Sequence, residues 1–310
     1  MHPAFSVIVF TTLSGIAQGT LVALSVALLL GDRLSWIFIA GTLLVCLALL
    51  LVALGASFLH LGRPARAWRA IAMWRTSWLS REVIVLPLFI AVVALWLVLH
   101  VRDLAPGLRG ALPLAVIVLA VVLWWCTAMI YACLKFIQEW ATPLTFANYL
   151  LIGLASGMSL YAALAVLAGL GPQAFGAAGL AVILTVVALA VRVASLVRNA
   201  RLKLKSTPQS ATGLRNPVVV QRSMGMSAGA FNTREFFHGR TLAFLKRMKL
   251  IFVLFGFVLP ASLMVVAMLS GQGLWLLLAV PVQYLGLLAE RWFFFAQARH
   301  PQNLYYQTVS

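Results

Sequence analysis

Acidic side chains are scarce in this chain: it has six Asp and Glu among 310 residues, against 23 Lys and Arg, and charged types together make up only 9%. A soluble domain carries about 25% charged residues. With 63% hydrophobic residues and a mean hydropathy of +1.03, water could not solvate the surface, so most of it must face lipid. Cysteine is equally sparse. Cys46, Cys126 and Cys133 all fall inside apolar runs with no CxxC pair, which excludes a written iron–sulfur or zinc site and implies no disulfide framework. Histidine is missing from the helix interiors: His60 and His100 sit at opposite helix ends, and His2, His238 and His300 lie outside the apolar runs. A bis-histidine haem therefore has no matched pair of ligands. Alternating apolar and polar runs are also absent, which argues against a membrane barrel. The N-terminus has no basic segment before its apolar run, and that run is too long for a signal-peptide core, so it is expected to be a first membrane helix.

What is present is a series of eight long apolar runs, at about 5–30, 36–60, 83–101, 113–136, 147–170, 176–197, 249–270 and 273–296. Gly31-Asp32, Pro106-Gly107, Gly171-Pro172 and Gly271-Gln272-Gly273 punctuate them. The expectation is an all-α polytopic membrane protein of eight transmembrane helices, one anchor domain over residues 1–310, with a possible division into two four-helix halves near Gly171. Two connections are long. The stretch from Gly62 to Arg81 interleaves Arg63, Arg66, Arg69 and Arg75 with Trp68, Ile71, Trp74 and Trp78, as in an interfacial helix. Residues 198–248 form the one long polar stretch, basic and rich in Ser, Gly and Met.

Eight crossings put both termini on one side, called here side A. Arg33, Arg102 and Arg109 fall on side B, leaving 20 of the 23 basic residues on side A. The positive-inside rule makes side A cytoplasmic. In a soluble protein a net charge of +17 would suggest nucleic acid; here it sits in loops and implies anionic headgroups or an acidic protein face instead.

Chemistry is sought where ionisable groups meet apolar runs. His60 ends the second run and Glu82 opens the third, so sequential antiparallel helices bring both to one depth on side A. An imidazole and a carboxyl at that depth could exchange two protons with a quinone headgroup. The structural alternative stands beside it: Glu82 favoured by the helix dipole with Ser80 as N-cap, and His60 covering the last carbonyls of the preceding helix. Lys135 and Glu139, four apart, read as a local ion pair. Glu290 and Arg291 read as paired within the last turns of the eighth helix, shaping a site or holding the bundle. Gly15 with Gly19 and Gly153 with Gly157 read as helix-packing faces, and Gln18, beside the first pair, as a packing residue or a ligand contact.

The run Ser57-Phe58-Leu59-His60-Leu61-Gly62-Arg63-Pro64-Ala65-Arg66-Ala67, followed by Ser80-Arg81-Glu82, resembles the membrane-anchor (C) subunits of dimethyl-sulfoxide-reductase-like molybdoenzymes. The eight-helix layout and the Glu290-Arg291 step also look similar, so the resemblance covers nearly the whole chain. It implies a haem-free, cluster-free anchor that is non-catalytic or quinone-reactive. Such an anchor binds quinone or quinol, of the menaquinone or ubiquinone type. It exchanges electrons with an iron–sulfur (B) subunit, and through it with a molybdopterin catalytic (A) subunit. His60, Glu82 and Arg66 match the quinone-site motif, with Arg81, Glu290 and Arg291 as secondary candidates. The resemblance and the charge together imply a bacterial inner membrane with both termini cytoplasmic, and docking of the iron–sulfur subunit on residues 63–81 and 198–248. The cytoplasmic side A, the opening His2-Pro3-Ala4-Phe5-Ser6-Val7 and the stretch Gly225–Gly239 look like the anchors of cytoplasmic sulfite-oxidising complexes. The alternatives are a quinol-oxidising dimethyl sulfoxide reductase anchor and, from another class, a secondary transporter. The nearly empty midplane argues against the transporter.

Overall fold

A computed structural model describes residues 1–59, 61–104, 106–108, 110–203, 205–223 and 232–305. Among these, eight helices are long and apolar enough to cross a membrane: α1 Phe5–Leu29, α2 Trp36–Phe58, α3 Trp78–Val101, α4 Ala111–Ala132, α5 Pro143–Leu167, α6 Gly171–Ala200, α7 Leu242–Ser270 and α8 Leu274–Ala296. The protein is a multi-pass, all-α membrane protein.

Short polar signals set the helix starts. Ser35, Ser77, Thr142 and Thr241 each accept a hydrogen bond from a backbone N–H of the first turn, and Pro143 supplies the pre-set first residue of α5. These caps correct several expected boundaries. Helix α3 starts at Trp78 rather than residue 83, and its cap is Ser77 rather than Ser80. Ser80 is a helical residue whose N–H donates to the Ser77 hydroxyl. Helix α4 stops at Ala132, so Lys135 and Glu139 lie in turns, not four apart on a helix. The expected ion pair is not formed: Lys135 is exposed and Glu139 is buried. Helix α7 begins at Leu242 rather than 249, which puts Lys246, Arg247 and Lys249 on its first turns. A π-helical turn at Leu254–Val258 interrupts it just before Pro260. Proline has no N–H to give and crowds the carbonyl four residues back, and a π turn absorbs that misfit.

Helices α1 and α5 form the axis of the bundle, with 72% and 56% of their apolar spans buried, against 22% for α3 at the periphery. They cross at the predicted glycine pairs. A Cβ on Gly19 or Gly157 would overlap the facing backbone, and the Thr20 hydroxyl donates to the Gly157 carbonyl at 3.0 Å across the contact. In lipid no hydrophobic force drives helices together, so close backbone approach with dispersion and hydrogen bonding must do it. A second glycine contact, Gly256 against Gly286, joins α7 to α8. The α5–α6 hairpin, which spans Gly171, is closely packed; five of the crossings precede Gly171 and three follow, so that point does not divide them four and four.

Both helix ends are tied across the fold. On side A the Met1 amine donates to the Ala298 carbonyl at 3.0 Å, and the His300 ring stacks on Phe236 at 3.8 Å. Burial lowers the Met1 amine to about 6, with the Glu139 carboxylate opposing, and burial also lowers His238 and His300. On side B the Trp36 and His100 rings stack at 5.6 Å.

Candidate functional site

The inward face of α3 carries Glu82, Leu86, Phe89, Val93 and Trp96, spaced four, three, four and three apart. That spacing is one stripe of a packed helix, and Glu82 occupies its side-A end. Glu82 is 5% exposed. Its partner is Thr127 of α4, whose hydroxyl donates to Glu82 Oε1. One turn further along α4, Tyr131 stacks parallel to Tyr149 of α5 at 6.1 Å and meets Trp140, Phe294 and Phe295 edge-on. Trp140 closes this aromatic cage by donating its indole N–H to the Phe294 carbonyl at 3.0 Å.

The cage leads to charge. The Arg291 guanidinium lies 4.0 Å above the Tyr149 ring centroid and 5.3 Å from that of Phe294, within cation–π range. Its neighbour Glu290 is 1% exposed and sits between two cations: Arg192 Nε at 2.7 Å from Oε1, and Arg291 Nη2 at 3.5 Å from Oε2. Arg192 is itself 1% exposed. From the positions of these residues in their helices, the layer lies within about 12 Å of the side-A helix ends at 1.5 Å per residue, with Tyr131 nearest the end and Arg192 deepest. It runs from Glu82 on α3, through α4 and α5, to α8 and α6.

A cavity of about 10 Å³ adjoins the layer, lined by Thr12, Ser14, Gln18, Trp124, Thr127, Ser156 and Arg291 among others. This is the scale of one water molecule. The indole N–H of Trp124, a residue 2% exposed, has no hydrogen-bond partner among the described residues, and Gln18 donates to the Ala120 carbonyl at 3.0 Å. Gln18 therefore both packs α1 against α4 and borders the cavity.

Of the residues expected from sequence, Glu82, Glu290 and Arg291 join one connected layer. His60 lies outside the described residues, as do Arg109 and 224–231, which include part of the Gly225–Gly239 stretch and Phe231. Arg66 is exposed on the 3-10 helix Pro64–Met73. Arg81 braces the turn after that helix: it donates to the Trp74 and Arg75 carbonyls at 2.9 and 2.8 Å and lies over the Trp78 ring at 4.1 Å. Sequence reasoning missed Thr127, Tyr131, Tyr149 and Arg192 as members of the layer. Arg192 had a signal, because a lone cation within a long apolar helix needs a buried anion.

Comparison with known proteins agrees with this architecture. The family model described as "DMSO reductase anchor subunit (DmsC)" matches residues 1–289. The C subunit of the sulfite dehydrogenase of Allochromatium vinosum is 49% identical over the full length of both proteins. The C component of the anaerobic dimethyl sulfoxide reductase of Escherichia coli is 30% identical over 52% of the present sequence and 63% of its own length. A bundle of eight membrane helices matched over nearly all its length places the protein in the DMSO reductase anchor subunit (DmsC) family, as the membrane anchor of a DMSO reductase-like complex.

Proposed function

We propose that this anchor moves electrons between a membrane quinone, of the menaquinone or ubiquinone type, and an iron–sulfur subunit, in a complex whose molybdopterin subunit oxidises sulfite. The single observation that carries this reading is Glu82: a carboxyl buried in an apolar bundle near the basic face, hydrogen-bonded to Thr127 and backed by a polar aromatic layer. Such a group is costly to bury and is a functional candidate for that reason. Reduction of a quinone consumes two electrons and two protons, so the protein must deliver protons where the electrons arrive. The Glu82 carboxyl can hold or release a proton at Oε1 or Oε2, with the Thr127 hydroxyl hydrogen-bonded to it. The adjoining cavity has the volume of a water rather than of a ring, so in this reading the layer carries protons and the headgroup binds outside it. His60, which follows α2 in the chain, is proposed as the second proton-handling group. Arg66 and Arg81 are assigned to the headgroup surroundings.

The charge distribution supports the rest. With 20 of 23 basic residues on side A, the positive-inside rule puts that side, and both termini, in the cytoplasm of a bacterial inner membrane. Arg63, Arg66, Arg69 and Arg75 are exposed there, as are Arg215 and Arg222 of the long loop. The proposed role of this surface (63–81 and 198–248) is to dock the iron–sulfur subunit. Electrons from sulfite would then enter on side A, and the relative from a sulfite dehydrogenase supports that direction over quinol oxidation.

The test is titration of the assembled complex with a quinol-analogue inhibitor, alongside sulfite-dependent quinone reduction. Glu82→Gln, Thr127→Val and His60→Ala should each weaken inhibitor binding about tenfold or more while leaving the complex assembled. Unchanged binding in all three would refute the assignment.

A further inference from the structure

A serine or threonine hydroxyl inside a helix commonly gives its proton to the carbonyl one turn back. Thr11 does so to Val7 and Thr12 to Ile8, each at 2.8 Å, Ser14 to Phe10 at 2.7 Å, and Ser156 to Ile152 at 2.8 Å. Thr127 instead gives its proton across the helix contact to Glu82. All five residues line the cavity of about 10 Å³ between α1, α4 and α5. Their protons are spent, so what these hydroxyls have left to offer is acceptor lone pairs.

The same cavity has a donor in need of an acceptor. The Trp124 indole N–H is buried without a hydrogen-bond partner among the described residues. Its nitrogen is at the cavity wall: it lies 2.8 Å from the place a Cβ would take on Gly153, another lining residue. A buried N–H left unpaired is costly. One water molecule answers both needs. It accepts from Trp124 and donates its two protons to hydroxyl oxygens, making three hydrogen bonds, the usual number for a buried water. The cavity volume suits one water and nothing larger. A metal cation would find the acceptors, but it would also meet the Trp124 N–H and the Arg291 guanidinium on the same wall, and both oppose positive charge.

We infer that this cavity is the site of one bound water, held by Trp124, and that the water donates to the Thr127 oxygen and keeps the Thr127 proton turned toward Glu82. A hydroxyl that accepts from the water and donates to the carboxyl has both of its roles filled, and such chains strengthen each other. The water is thus a positioning group for Glu82, acting through Thr127. The water site stands apart from the proton-handling role of Glu82; its consequence for quinone chemistry rests on that role.

Gly15→Ala is the test. A Cβ on Gly15 would have the Gly153 Cα at 3.9 Å and nothing else within 4 Å, so the methyl group of this lining residue takes up cavity space without strain. Gly176→Ala is the reference, because it makes the same backbone change with nothing within 4 Å. Both are compared in the full-length protein by reversible unfolding in mixed detergent and SDS micelles. Gly15→Ala expels the water and strands the Trp124 N–H, so its unfolding equilibrium constant should exceed that of Gly176→Ala about tenfold. In a Trp124→Phe background, with no donor left to strand, the difference should shrink to less than about threefold. Infrared difference spectra in nanodiscs give the second readout. A water O–H band that moves on exchange into heavy-oxygen water should be present in the parent protein and lost in Gly15→Ala. The Glu82 carboxyl band, identified as the one that Glu82→Gln removes, should shift in Gly15→Ala and stay in place in Gly176→Ala. If Gly15→Ala is as stable as Gly176→Ala or more so, or removes no water band, the cavity is dry and the inference falls. A lost water band with an unmoved Glu82 band would overturn the positioning of Thr127. None of these readouts uses a quinone, so unchanged inhibitor binding in Glu82→Gln would refute the quinone assignment and leave the water site standing.

Discussion

Glu290 is the anion that two buried guanidiniums share, and the two are not equally dependent on it. Arg192 meets Glu290 at 2.7 Å, while Arg291 lies at 3.5 Å from its other oxygen and has the Tyr149 ring 4.0 Å away as a second partner. Glu290→Gln leaves both cations without a counter-charge, whereas Arg192→Met leaves Glu290 with Arg291. Removing one member of a buried pair costs about 3–5 kcal/mol. An effective dielectric constant of 20 gives a similar Coulomb energy, about 4 kcal/mol at 4 Å. Glu290→Gln is therefore expected at or above the top of that range, and Arg192→Met at about 1–3 kcal/mol, because the remaining ion pair compensates. The double replacement Arg192→Met with Glu290→Gln removes both charges of that pair. It should cost less than the sum of the two single changes, giving a coupling of about 2 kcal/mol or more. Reversible unfolding in mixed detergent and SDS micelles measures all three. If Glu290→Gln costs less than about 1 kcal/mol, or if Arg192→Met is the more damaging, the shared-anion description is wrong.

Two further outcomes follow from the packing and from the side-A clasp. Gly157→Ala puts a methyl group into the backbone of α1 and should cost about 1–3 kcal/mol, whereas Gly176→Ala, with nothing within 4 Å, should be neutral or stabilising by up to about 1 kcal/mol in the same unfolding assay. His300 is lowered from 6.5 by burial, so the folded clasp binds fewer protons than the free chain just below that value. Its contribution is complete above pH 6.5 and falls away as the pH drops through the folded value. The protection of residues 301–305 against hydrogen exchange, relative to the base-catalysed intrinsic rate at each pH, should therefore fall from pH 7 to pH 5, and His300→Phe should flatten that response.

The sequence by itself determined the number of crossings and the one-sided placement of charge. Eight apolar runs allow few alternatives when each must satisfy its own backbone in lipid, and Lys and Arg placement needs no tertiary information. The glycine pairs were legible too, since small residues four apart mark one helix face. Boundaries were less legible where charge and cap disagreed. Hydropathy stops at Val83, but the Ser77 cap carries α3 back to Trp78 and turns Glu82 inward, while α4 ends before the spacing of Lys135 and Glu139 can act. What only the tertiary structure decided was partnership between distant residues. Thr127 with Glu82, Arg291 over Tyr149, and Arg192 with Glu290 each join separate helices. The meeting of any two depends on the rotation and depth at which their helices pack. Those are set by shape, such as the α1–α5 glycine crossing, and not by any property a single helix carries. The same holds on side B, where Trp36 and His100 are ordinary helix-end residues in sequence and become the wall of a pocket once α2 and α3 are packed together.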